Sequence, residues 1–190
     1  MVFTERSRPN REAVLAAGLQ VFAERGYERT TVRLVAGVAG IDPSMVIRYF
    51  GSKEGLFSAV VDVDLRLPDL RPVDRAHRGE VLARHFVDLW EGPRTGPVLV
   101  VLLRSATTND VAAERIRGVF AAQVVELVAR LSPSGTSGAG DVAARAGRVA
   151  AHVLGVALTR YVLVLPPVAA LSSDEVVAML APALQCQLDL

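Results

Sequence analysis

The chain has 190 residues, 51% of them hydrophobic and 22% charged, and a net charge of +1, enough for one large domain or for a small and a larger one packed together. A mean hydropathy of +0.35 is high for a soluble monomer and points to a large surface buried on a partner, an internal apolar cavity, or both. The longest uncharged apolar runs, 98–103 and 161–171, fall short of the ~20 residues a membrane span needs, and the near-neutral charge does not by itself announce a nucleic-acid partner.

In chain order, residues 1–8 read as a polar arm, either a frayed terminus or an extension used on DNA. The N-terminus has no apolar signal-peptide core, so a cytoplasmic location is expected. Asn10 is placed to cap a first helix, whose buried stripe is Val14, Ala17, Gly18, Val21 and Phe22. Gly26 ends it, and Tyr27 packs under the next helix. Thr30 is placed to cap that second helix, with Val32, Val35, Ala36 and Ala39 on one face. Gly40 tolerates the left-handed conformation that helices often end in. Asp42 then caps a third helix, and Pro43 takes its first position, where a missing N–H costs nothing. Val46 and Phe50, four apart, turn that short helix toward a core. Helix, glycine turn and short helix form the helix-turn-helix plan, whose second helix enters the DNA major groove.

Ser52 caps a fourth helix that opens at Lys53. Leu56, Phe57, Val60, Val61 and Leu65 are expected to continue it and to bridge two domains. The segment 67–73 (L-P-D-L-R-P-V) is a proline-punctuated linker, which sets the domains at 1–66 and 67–190. A helix is expected over 75–90 with Leu82, Phe86, Leu89 and Trp90 on its apolar face, then a loop over 91–97. Residues 98–107 are apolar nearly all round and read as a buried helix rather than a strand, because no partner strand is evident elsewhere. Thr108, Asn109 and Asp110 cap a helix running to about Leu131. Ser132–Gly140 is a low-complexity loop. A long helix rich in Ala and Gly runs from Asp141 to Leu165, where Pro166 and Pro167 stop it. Ser172 or Ser173 caps a last helix that Pro182 should kink.

The stretch 22–57 carries a family resemblance. F-A-E-R-G-Y (Phe22 to Tyr27), T-T-V-R (Thr30 to Arg33), A-G-I (Ala39 to Ile41), R-Y-F (Arg48 to Phe50) and G-S-K-E-G-L-F (Gly51 to Phe57) together resemble the tetracycline-repressor (TetR) family of bacterial transcription regulators. The detailed match covers the first third of the chain; beyond it the likeness is one of architecture. The resemblance implies an all-α fold, with a three-helix DNA-binding head and then a helical bundle for dimerisation and effector binding. It also implies a homodimer that binds a double-stranded operator and represses transcription until a small molecule shifts the fourth helix. One departure is Ile47, where the family commonly has Tyr or His touching the DNA backbone.

On that reading Arg33 offers a planar fork to a guanine edge, and Pro43, Ser44 and Met45 stand at the exposed start of the recognition helix. Thr31, Arg48, Tyr49 and Lys53 carry donors suited to phosphates. Residues 1–53 hold eight basic against five acidic residues, and Lys53 is the only lysine in the chain; the mild excess suits phosphate contact. The dimer is expected to pair through 141–165 and 173–187. An apolar effector pocket, for a hydrophobic or aromatic ligand, is expected to involve His85, Phe86, Trp90, Thr107 and Phe120. Arg104 and Arg160 sit in apolar sequence and need partners, as structural pairs in preference to anion anchors. Cys186, the single cysteine, excludes an intrachain disulfide and reads as an apolar filler. His77, His85 and His152 lack metal-site spacing, and no nucleophile-elbow, phosphate-loop or dinucleotide fingerprint occurs. Neither cofactor, metal nor catalysis is expected. A regulator without a small-molecule ligand, and an enzyme with an appended DNA-binding head, are the alternative readings.

Overall fold

The structure, a computed structural model, describes residues 8–132 and 138–189. The arm expected over 1–8, apart from Arg8, and residues 133–137 of the low-complexity loop lie outside the described residues. The elements are α1 (Arg8–Arg25), α2 (Val32–Ala39), α3 (Pro43–Phe50), α4 (Lys53–Val60), α5 (Arg78–Glu91, preceded by a 3-10 turn at Arg75–His77) and α6 (Thr95–Ser105). Next come α7 (Asp110–Val119), a π-helical stretch (Phe120–Val124), α8 (Val125–Leu131), α9 (Ala139–Ala157), a second π stretch (Leu158–Val162), α10 (Pro166–Ala169) and α11 (Ser173–Leu188). The fold is all-α, with no strand among the described residues. No helix among them is long and apolar enough to cross a membrane.

Several boundaries differ from the sequence expectation, each for a local reason. The first helix already includes Arg8 and Pro9, so Asn10 lies inside α1 and caps nothing; Pro9 sits in the first turn, where its absent N–H is harmless. Thr31, not Thr30, caps α2: its hydroxyl accepts from the Leu34 N–H at 3.2 Å. Thr30 is buried, and its hydroxyl donates to the Gly26 carbonyl at 2.7 Å. The fourth helix stops at Val60 and does not run on to Leu65. In Val61-Asp62-Val63-Asp64 the apolar residues are buried and the aspartates exposed, an alternation of period two that suits extended chain and not helix. Arg66, at φ 47°, makes the turn. The helix expected from Asp141 to Leu165 ends as a π turn at Val162, and Val164 at φ 51° breaks the chain direction. Pro166 and Pro167 open α10 in its first turn instead of stopping α9.

The chain divides into two compact units. The first holds residues through Val63 together with Pro97–Ile116; the second holds Asp64–Gly96 and the chain from Arg117 onward.

In the first unit, Val14, Val21, Phe22, Val35, Val46, Leu56 and Phe57 form the core. Phe57 packs edge to face against both Phe22 and Tyr27, with centroids 5.0 Å and 4.9 Å apart, a preferred aromatic geometry. Arg104, expected in apolar surroundings, is exposed and donates to the Ala23 carbonyl at 3.4 Å. It lies at the end of α6, where the apolar sequence no longer dictates burial.

In the second unit, Leu82, Phe86, Leu127, Val128, Val149, Val176, Leu180 and Leu184 are the core. Gly79 lets α5 approach α11: a Cβ there would stand 2.5 Å from the Ala181 carbonyl oxygen and 2.7 Å from the Gln185 nitrogen. Its N–H donates to Gln185 Oε1 at 2.7 Å. Ser172 and Glu175 form a capping box at the start of α11. Arg145, read in the sequence only as part of a small-residue helix, is fully buried. It donates from Nε to the Gln187 carbonyl at 3.0 Å, from Nη1 to Ser132 Oγ at 3.0 Å and from Nη2 to the Leu188 carbonyl at 3.5 Å. Arg160 is the paired structural group that the sequence favoured. Its Nη1 donates to the carbonyls of Val168 and Leu171, both at 2.8 Å, and its Nη2 lies 3.0 Å from Glu91. Cys186 is exposed rather than a filler; Leu184 and Leu188 take the buried positions around it.

Candidate nucleic-acid interface

The local chemistry of residues 26–53 fixes a bent pair of short helices. Gly26, Gly40 and Gly51 all have positive φ, at 74°, 67° and 78°. At Gly40 this lets the N–H of Ile41 reach the Ala36 carbonyl at 3.0 Å, closing α2 in the manner of a left-handed C-terminal cap. Two residues on, Asp42 Oδ1 accepts from the Ser44 N–H at 2.8 Å and from the Ser44 hydroxyl at 2.6 Å. These bonds, the hydroxyl's first, hold the Asp42 carboxyl below its ordinary range against a small opposing effect of burial. It is therefore ionised at neutral pH, at the helix end where a negative charge is favoured.

Helix α3 turns Val46 fully inward. At 3.6 residues per turn Ser44 and Arg48 lie opposite Val46 and Ile47 lies on the flank, about 100° round from it, and these three are exposed. Pro43, Met45 and Tyr49 are half-buried; the Tyr49 ring meets Phe50 edge to face, 6.2 Å between centroids. Arg33 is exposed on α2, and Thr31 is exposed while serving as its cap. Lys53, at the first position of α4, is positioned by its neighbours. Its Nζ lies 4.2 Å from the Tyr27 ring centroid and donates to the Glu28 carbonyl at 3.3 Å. An ammonium has three donors, so this arrangement orients the group and leaves capacity for another acceptor. Tyr27 in turn donates to Glu54 at 3.1 Å. Burial first, and then that bond and the Glu54 charge, push its hydroxyl pKa up to about 12. The eight residues expected at a DNA surface thus lie on α2, α3, their caps and the start of α4. The sequence reading does not include Ile47 among them, although its spacing from Ser44 and Arg48 is the available signal.

The five residues expected at an effector pocket separate. Phe86 and Trp90 come together, 5.9 Å between centroids, and Trp90 stacks on Tyr161 at 5.2 Å and 10°. Tyr161 and Arg160 both bond to Glu91, at 3.2 and 3.0 Å, and the Ser173 hydroxyl donates to the same carboxylate at 2.6 Å. Burial works against the Glu91 charge, but the bonds from Ser173, Arg160 and Tyr161 outweigh it and lower its pKa. Burial pushes Tyr161 up to about 12. His85 Nε2 is 2.7 Å from the Leu65 carbonyl oxygen, so that nitrogen is engaged as a donor. Phe120 is half-buried in the first π stretch. Thr107 belongs to the first unit, where it is exposed and donates to the Arg104 carbonyl at 3.3 Å. The second unit also holds a cleft of about 310 Å³ whose lining includes Arg66, Leu70, Gln123, Glu126, Leu127 and Arg130; none of the five lines it.

Residues 14–60 match the model described as bacterial regulatory proteins, tetR family, and residues 76–188 match the tetracyclin repressor-like C-terminal domain. A curated HTH-type transcriptional repressor of Mycobacterium tuberculosis is 36% identical over 86 residues, covering 40% of this chain and 46% of that protein. The chain thus spans about half the length of the curated relatives it matches. Among solved structures, a TetR-family regulator from Streptomyces coelicolor A3 is 27% identical with a TM-score of 0.63, over 99% of both chains. NalD of Pseudomonas aeruginosa, the secondary repressor of a multidrug efflux pump, is 19% identical with a TM-score of 0.70 over 95% of both chains, a likeness of fold alone. With family models matching both its N-terminal and its C-terminal residues, the chain belongs to the tetR family of bacterial regulatory proteins.

Proposed function

We propose that this chain is a cytoplasmic transcriptional repressor that binds duplex operator DNA as a homodimer and is released when a small apolar molecule binds its C-terminal part. The observation that carries the reading is the outward face of α3, exposed beyond a helix-turn whose caps hold it rigidly. Residues 1–66 carry the DNA contacts, and 67–190 carry pairing and the effector. Arg33 and the start of α3, Pro43, Ser44 and Met45, address base edges. Thr31, Arg48, Tyr49 and Lys53 address phosphates. Lys53 is aimed by Tyr27 and Glu28.

Pairing is supported by apolar faces left open on two helices. Ala144, Ala151, Gly155 and Leu158 are exposed along α9 and the π stretch after it, and Met179, Pro182 and Cys186 along α11. Small side chains on α9 admit close approach of a second copy, and a two-fold pair matches an operator's own symmetry. The stacked pair Trp90–Tyr161, next to Phe86 and the Glu91–Arg160 pair, offers an apolar ligand a flat surface with polar anchors beside it.

Selection of bound duplexes from a random pool tests the reading. A palindromic half-site pair should emerge. Arg33→Ala should cost about 1–3 kcal/mol and relax one base pair, and Lys53→Ala should weaken all duplexes and lower the salt slope by about one. No enrichment from the pool, with folded protein at micromolar concentration, would refute it.

A further inference from the structure

The outward face of α3 is poor in hydrogen-bonding chemistry. Its three exposed positions are Ser44, Ile47 and Arg48. Ser44 donates its only hydroxyl proton to Asp42 at 2.6 Å and so keeps lone pairs but no donor for a base edge. Arg48 is a long cation suited to phosphates. Ile47 stands to one side of them with 46% of its surface exposed, while the Val46 beside it is fully buried. A β-branched side chain is stiff, so Ile47 presents a fixed apolar surface rather than a mobile one. Pro43, one turn before it on the same side of the helix, adds apolar surface.

In the major groove a single exocyclic group is apolar: the C5-methyl of thymine. An apolar side chain placed there gains by excluding water from that methyl, and it distinguishes thymine from cytosine, which carries hydrogen at the same carbon. Resting on the proposal that α3 enters the major groove, we infer that Ile47 is a specificity-determining residue that reads a thymine methyl. The preferred operator half-site therefore holds a thymine opposite the middle of α3, and base choice at that position is made by apolar contact rather than by a hydrogen bond. Charge complementarity supports the placement, since Arg48 lies next to it on the same face and Arg33 is exposed on α2.

Replacement of thymine by deoxyuridine removes the methyl and leaves the base-pairing edge intact. The test takes the best duplex from the random pool, synthesised without 5-methylcytosine so that every methyl is thymine's, and exchanges each thymine singly. Wild-type affinity should fall about fourfold at one position per half-site, the worth of one methyl-sized group withdrawn from water, and stay constant elsewhere. Ile47→Ala should bind the thymine and deoxyuridine duplexes equally. Ile47→Gln, which offers adenine an amide, should move the selected base at that position from thymine to adenine. Ile47 is exposed, so neither substitution should disturb folding, which circular dichroism checks. A duplex that is enriched but bound equally well with every thymine exchanged overturns this inference and leaves the DNA-binding reading standing. So does an Ile47→Ala protein that keeps the wild-type preference for thymine. A folded protein that enriches no duplex overturns both.

Discussion

The two ends of the chain hold their helices by different means. Between Gly26 and Lys53 every bend is made by residues within a few positions of it: Gly26, Gly40 and Gly51 at positive φ, Thr31, Asp42 and Ser52 as caps. In the second unit, beside the local capping box of α11, the C-terminal ends of α10 and α11 are held by arginines of other segments. Arg145 holds the last carbonyls of α11, about forty residues away, and Arg160 holds the end of α10 and Glu91. The second unit also carries both π stretches, Phe120–Val124 and Leu158–Val162, which are frequent at functional sites. The surface proposed to present fixed side chains to DNA is built from local turns that form independently. The region proposed to answer a ligand is closed by a few long-range polar clasps, each of which couples several segments.

Arg145 should therefore be the most costly single loss. Arg145→Ala leaves a cavity and strands the Gln187 and Leu188 carbonyls, while the Ser132 hydroxyl keeps only its bond to the Val128 carbonyl, and about 3 kcal/mol or more is expected from lost charge-assisted bonds. Denaturant unfolding should show it. Because the clasp holds α11, amides of residues 184–188 should exchange faster while those of α2 and α3 do not change. Equal loosening of both units would break the contrast between local and long-range closure.

Gly79→Ala comes next. The new methyl meets backbone atoms of α11, the Ala181 oxygen at 2.5 Å and the Gln185 nitrogen at 2.7 Å, so relief needs helix displacement and not a rotamer change. Overpacking of this kind costs roughly 1–3 kcal/mol, read as a lower thermal midpoint. Glu91→Gln should cost less, about 1 kcal/mol, since the amide keeps part of the bonding to Ser173 and Tyr161 but loses the charge opposite Arg160. The folded-state pKa of Glu91 is lowered. Its contribution is thus fully present above the ordinary carboxylate range and is lost as pH falls through its folded value. The wild type and Glu91→Gln should converge in stability below that point; a gap that persists into acid would assign the cost to packing.

The same contrast explains how much of this molecule is legible in its sequence. Gly40, Asp42-Pro43, Ser52 and Ser172 are readable because the residue that needs the bond and the residue that supplies it are neighbours. Thr30 and Thr31 are easily interchanged because either can cap by type, and only the fold shows that Thr30 is needed to bond Gly26. The end of α4 is readable from a signal that the apolar residues alone conceal: Val61-Asp62-Val63-Asp64 alternates with period two, whereas Val60, Val61 and Leu65 taken by themselves fit helical spacing. Arg145 is not legible. An arginine among alanines reads as solvated, and its partners are the ends of distant segments. The π stretches carry no composition of their own, and α9 simply runs on through Leu158. At the proposed DNA surface the helix and its faces are legible, but the engagement of the Ser44 hydroxyl by Asp42 is not, and that engagement shifts attention to Ile47.

Single caps should have the smallest effects, and they separate stability from function. Thr31→Ala removes the acceptor for Leu34 N–H in α2, and Ser172→Ala dissolves the capping box of α11. Each should cost about 1 kcal/mol, because a cap satisfies one or two orphan donors whatever the helix does next. Thermal midpoints should fall alike. DNA affinity should not: fraying α2 loosens the support of α3 and removes a hydroxyl expected at a phosphate, whereas no DNA contact is proposed for α11. Asp42→Ala belongs with Thr31→Ala but adds a pH signature. The Asp42 carboxyl is held below its ordinary range by the Ser44 hydroxyl and N–H, so its contribution is present above that range and lost as pH falls through the lowered value. Asp42→Asn keeps an acceptor without the titration, and should retain most of the stability with a flatter acid profile. The Ser44 hydroxyl is freed in Asp42→Ala, so this variant should also gain a hydrogen-bonding preference at a base the wild type does not discriminate. A selected site identical to the wild type's would mean that Ser44 does not face the bases, and would turn the reading face of α3 away from Ser44 toward Ile47 and Arg48 alone.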